Sequence, residues 1–263
     1  MNKIFYLLLL INFGFAYTIN PYIKTVNYDN KYSIKEKGDL KGITFSHKTT
    51  KYKIDIDFSQ YTISFKDYLR IEDFIQKDFD FSYTQYLNTI SLGTRYHHIT
   101  AKNDFDLGNG NIYNIFISKN YSNFEIGAEL YTSQYKHEQI NQISSYLKYY
   151  TKTSTLELKL NNNKVDKNYY WIELSNLYFN KNKWLLIGGY IGDSRTSIKG
   201  PIIENSLDLI KKGFYFDIGI AINKNISIDI LYNNKYYKEW NSYYQIDNPL
   251  GNSKEMLFSI NFH

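Results

Sequence analysis

From Lys51 to its last residues the sequence alternates, apolar at every second position and polar or charged between. Tyr52, Ile54, Ile56 and Phe58 alternate with Lys53, Asp55 and Asp57. Phe214, Phe216, Ile218, Ile220 and Ile222 do the same around Tyr215, Asp217, Gly219 and Ala221. A period of two means β-strands with one apolar and one polar face. No helix-period segment of comparable length interrupts the pattern. A single chain whose strands are apolar outside and wet inside fits a closed barrel in lipid, where every backbone group is satisfied within the ladder.

The ends agree with an exported barrel. Lys3 precedes an apolar run from Ile4 to Phe13, and Gly14, Phe15 and Ala16 follow. That pattern predicts a signal peptide over residues 1–16, cut after Ala16, with a single barrel domain over 17–263. No later stretch approaches the roughly 20 apolar residues of a membrane helix. Cysteine is absent, which excludes a lipoprotein anchor, disulfides and thiolate metal sites. Mean hydropathy is −0.47 although the chain has 28 Tyr and 17 Phe. Barrel walls dilute their hydrophobicity in this way, and tyrosine suits the headgroup belts. A net charge of +5, dispersed along the chain, gives no nucleic-acid signature.

Strands are read near 51–66, 74–86, 89–98, 111–119, 124–134, 140–150, 154–162, 169–179, 183–191, 213–222, 226–233 and 253–262. Tight connections, often carrying Asn, alternate with longer ones at 99–110, 135–139, 163–168, 192–212 and 234–252. That rhythm predicts short turns in the periplasm and loops outside. Upstream, Leu40 to Lys48 is a further strand candidate, and Asn30 to Glu36 could pair with it across Lys37, Gly38 and Asp39. Barrels of one bacterial chain have even strand numbers, so the expectation is fourteen strands, with twelve as the alternative. A change of parity between Phe58 and Tyr61 predicts a bulge at Ser59 and Gln60. Glu204 to Lys212 is read as one or two helical turns, and the three prolines as lying outside the alternating segments. Across the twelve segments the apolar parity is read as free of Asp, Glu, Lys and Arg.

The last strand, Met256 to Phe262, alternates apolar residues and ends in an aromatic. Through Phe258, Ile260 and Phe262 it resembles the C-terminal signature of bacterial outer-membrane β-barrel proteins, and the chain resembles their small porin-like members. The resemblance implies outer-membrane lipid and the barrel-assembly machinery as partners. It carries no functional residues with it.

Candidate functional residues follow from parity. Asp55, Asp57, Asp80, Arg95, His97, Glu125, Glu129, Glu157, Lys159, Glu173, Asp217 and Asp229 should face the lumen, with acids in excess. A water-filled lumen of that kind favours cations and admits ions or small polar solutes. His97 and His98, followed by Asp104 and Asp106, match no catalytic motif and read as polar residues at the rim. Tyr236, Tyr237, Trp240, Tyr243 and Tyr244 form an aromatic cluster assigned to a loop, suited to a belt or to a surface partner. No cofactor, metal or enzymatic chemistry is expected. A channel is the leading expectation; a surface-binding barrel and an outer-membrane enzyme are the rivals.

Overall fold

The structure is a computed structural model that describes residues 17–29, 33–66, 72–102, 108–136, 138–195, 208–241, 246–247 and 249–263. The expected signal peptide, residues 1–16, lies outside that set, as do Asp104, Asp106, Tyr243 and Tyr244. The strands are β1 (Tyr17–Asp29), β2 (Lys35–Lys48), β3 (Tyr52–Phe65), β4 (Phe74–Leu87), β5 (Ile90–Lys102), β6 (Gly110–Tyr121) and β7 (Phe124–Tyr135). They continue as β8 (Gln139–Tyr150), β9 (Ser154–Lys164), β10 (Asn168–Asn180), β11 (Lys183–Arg195), β12 (Leu209–Asn223) and β13 (Ile226–Lys238). A two-residue ladder of β14 (Trp240–Asn241) and β15 (Ile246–Asp247) precedes β16 (Gly251–Phe262). β1 to β13 and β16 form one closed antiparallel barrel of fourteen strands, sealed where β16 pairs with both β13 and β1.

The strand number agrees with the sequence expectation, but the extra hairpin is built differently. Tyr17–Asp29 pairs with Lys35–Lys48, so Lys37, Gly38 and Asp39 lie inside β2 and not in a turn. Pro21 therefore sits within a strand; the β1–β16 ladder skips Asn20 and Pro21, as a residue without an N–H requires. The bulge expected at Ser59 and Gln60 is absent. β3 pairs without a register shift along its length against β4 and, from Lys53 to Ser64, against β2. The apolar residues change face instead: Tyr61, Ile63 and Phe65 are buried inside the barrel. Two places where alternation ends are real bulges, between Ile191 and Ser194 and between Ile210 and Lys212. Beyond them β11 runs on to Arg195 and β12 starts at Leu209, so Leu209–Lys212 is strand and not helix.

Six tight turns and the two strand termini share one end of the barrel, here the turn end. At three of the two-residue turns the left-handed position is Asn88, Ser122 or Lys181 (φ 47° to 52°). Register closes these turns, so only the first of them places Asn there. Outward residues such as Ile115, Ile126, Ile143, Leu174, Ile187 and Ile218 are about half exposed, which only lipid makes tolerable over a continuous belt. Charged residues do occur on this parity, contrary to the sequence reading: Lys77, Lys119 and Lys183 face outward near strand ends. Inside, several aromatics lie over glycines of the next strand. A Cβ at residue 219 would stand 1.8 Å from Trp184 Cε2, so only glycine lets that indole lie flat against the wall.

Candidate functional site

All twelve candidate lumen residues fall on the inward parity of their strands, but the lumen has two unlike halves. Toward the turn end the wall is partly exposed. A cavity of about 650 Å³ opens there, lined among others by Lys53, Asp55, Arg95, Glu125, Glu129 and Lys148. Lys53 pairs with Asp55 at 2.9 Å and Lys159 with Glu129 at 2.7 Å; Lys148 stands 3.8 Å from Glu157. Tyr146 and Tyr150 both donate to Glu125. Tyr215 donates to Glu173 at 3.0 Å, and Ser259 and Asn261 donate to Asp229. The β3–β8 side thus balances its charges. Across β9–β13 stand Glu157, Glu173, Asp217 and Asp229 with Lys159 among them, and there the acids predominate.

The middle of the wall is packed, not wet. Asp57, Asp80 and His97 are essentially inaccessible, so these three predicted lumen residues meet other side chains and not solvent. His97 stands mid-strand, because β5 runs on to Lys102; the rim position expected for it is therefore incorrect, and only His98 faces outward. Its Nε2 lies 2.8 Å from Asp78 and its Nδ1 3.2 Å from Asp80. A ring carrying both protons donates to both carboxylates; a neutral ring donates to one and accepts from the other only if that aspartate is itself protonated. Arg95 Nε is 3.3 Å from Asp80. Asp57 accepts from Tyr22 (2.9 and 3.0 Å) and from Thr44 (2.6 Å). The parity that marks Asp80 also marks Asp78, which the sequence reading passed over.

Toward the loop end the described wall is packed with apolar side chains. Tyr22, Val26, Leu40, Tyr61, Ile63, Phe65 and Phe74 form one apolar cluster inside the barrel; Ile99, Ile112, Tyr131, Tyr135 and Ile140 form another. Residues from β12 round to β4, including Ile210, Tyr237, Tyr28 and Phe74, converge on a space of about 20 Å³, room for one water. Ion pairs tie the mouth together: Lys35 to Asp208 at 2.7 Å, and Arg195 to both oxygens of Asp247 at 2.7 and 2.9 Å. Glu239 is buried beside them and accepts from the Ile34 amide. Nothing in the strand pattern announced these residues of the mouth, since their partners lie far away in sequence. Tyr236 and Tyr237 belong to β13 and not to a loop, and Tyr237 is buried edge-on against Tyr28.

Burial, opposed by Lys35 and reinforced by Asp208, holds the Glu239 carboxyl above the usual glutamate range. An acid raised in the folded state stabilises that state while protonated, and the contribution is lost as pH rises through the raised value. The urea midpoint of the wild-type barrel should therefore fall relative to that of Glu239→Gln as pH rises past the ordinary glutamate range. Parallel profiles would leave Glu239 without this role.

No protein-family model matches the sequence, and no curated protein matches it. By fold the chain is similar to the toluene transporter TbuX of Ralstonia pickettii, with TM-score 0.61 and 8% identity over 95% of this chain and 90% of that one. It is also similar to the toluene transporter TodX of Pseudomonas putida, with TM-score 0.58 and 8% identity over 94% and 88%. A bacterial polysaccharide outer membrane secretin gives TM-score 0.56 and 8% identity over 94% and 98%. At such identity the likeness is one of fold.

Proposed function

We propose that this integral barrel of the bacterial outer membrane is a channel for small cations and polar solutes, narrowed at its loop end. The observation that carries this reading is the open turn-end cavity of about 650 Å³ in a wall rich in charged, amide and hydroxyl side chains. TbuX and TodX are named for toluene, which asks for an apolar path. The charged wall here suits polar solutes instead. Cation preference is our inference from seven partly exposed carboxylates, Asp55, Glu125, Glu129, Glu157, Glu173, Asp217 and Asp229. Against them stand the permanent cations Lys53, Arg95, Lys148 and Lys159. We place the turn end in the periplasm and residues 1–16 as a cleaved export signal, with β16 read by the assembly machinery. Thiol labelling of whole cells at Leu250→Cys but not at Lys224→Cys is the expected result for that orientation; the reverse would invert it.

The refolded protein should conduct in planar bilayers and prefer cations in a salt gradient. Raising salt from 0.1 M to 1 M should weaken the preference, because screening shortens from ~10 Å to ~3 Å. Changing Glu157, Glu173, Asp217 and Asp229 together to amides should reduce it further. Anion preference would overturn the lumen assignment. The packed loop-end interior among the described residues favours one rival, a barrel that binds at the surface without conducting. A folded but silent protein would establish that rival.

A further inference from the structure

The charge that broke the parity rule points to a second site, on the outside of the wall. Lys41 of β2, Gln60 of β3 and Lys77 of β4 are direct cross-strand partners in one row. All three are on the outward parity, and both lysines are exposed. With strands about 4.8 Å apart, the two lysine Cα atoms stand ~10 Å from each other with the glutamine between. The next row toward the turn end is Ile43, Phe58 and Phe79, where the apolar belt begins and the two phenyl rings meet at 5.3 Å. Two other outward lysines toward the loop end are neutralised: Lys37 pairs with Asp39 at 2.9 Å and Lys254 with Asp29 at 3.3 Å. Among the described residues Lys41 and Lys77 have no carboxylate partner.

A lysine next to hydrocarbon is unfavourable unless its ammonium reaches the interface, and an unpaired couple there is a site of uncompensated positive charge. The Lys41 and Lys77 side chains are long enough to meet over Gln60, whose amide adds a donor. We propose that Lys41, Gln60 and Lys77 bind the phosphate of a lipid headgroup whose acyl chains lie over Ile43, Phe58 and Phe79. The charge complementarity supplies the head contact, and the aromatic row directly beside it supplies the tail contact. Free phosphate would satisfy only the first.

The test is native mass spectrometry of the folded barrel in neutral detergent, titrated with a diphosphorylated lipid A and with the same lipid dephosphorylated. Wild type should retain the phosphorylated lipid. K41Q/K77Q should bind it roughly 30-fold more weakly, about fivefold for each lysine. The control K119Q/K183Q, at the other end of the barrel, should bind it as wild type does. Retained heat-shifted mobility on gels shows that each variant is folded. Equal binding by K41Q/K77Q and wild type overturns the site. Equal binding of the dephosphorylated lipid overturns the phosphate contact. Inorganic phosphate that displaces the lipid at equal concentration overturns the lipid assignment.

Discussion

His97→Ala should destabilise the barrel by about 3–5 kcal/mol, the cost of removing one member of a buried ionic group and leaving the others uncompensated. His97 is fully enclosed and touches Asp78 and Asp80, both also buried. Among the described residues the ion pair of Arg95 is with Asp80, at 3.3 Å, so without His97 no cation stands against Asp78. Urea unfolding in lipid vesicles measures the effect. The charge argument has its own control. In His97→Leu combined with Asp78→Asn and Asp80→Asn no buried carboxylate is stranded, so much of the stability should return, since removing charged partners together costs far less than removing one. If the single and triple variants lose the same stability, the loss is one of packing volume and not of charge.

The strand pattern was legible because lipid and lumen impose opposite demands on neighbouring residues. From β4 to β16 the alternation located each barrel strand. It failed where that opposition fails. In β1 no run is cleanly alternating, and Pro21 disguises it. In the loop-end half of β3 the lumen is itself apolar, so Tyr61, Ile63 and Phe65 imitate a bulge while the backbone continues straight. Gly192, at φ 120°, starts a true bulge that ended the readable part of β11 too early. Side-chain direction was equally legible, but depth was not. Parity put Asp57, Asp80 and His97 inside the barrel and could not tell a wet wall from a packed one. That distinction depends on contacts between strands, such as Tyr22 of β1 over Asp57 of β3 and Asp78 of β4 beside His97 of β5.

Ile218→Arg should impair folding into lipid by about 2–4 kcal/mol, while Asp217→Arg, one residue away, should fold nearly as wild type. Ile218 is 54% exposed and lies midway along the outward row of β12 from Phe214 to Ile222. Its cross-strand neighbours are Leu185 and Ile230, so an arginine there finds hydrocarbon on both sides and no carboxylate. The side chain is too far from either end of the row to carry its charge cheaply to the interface. At 217 the same arginine enters the partly exposed lumen, where Asp229 stands on β13 two residues from the register partner Leu231. Folding yield and urea midpoints in vesicles separate the two variants. Equal midpoints would mean that the belt around Ile218 is not in contact with lipid. In thicker bilayers the Ile218→Arg penalty should grow and the Asp217→Arg result should stay put, because only the first depends on distance to the headgroups.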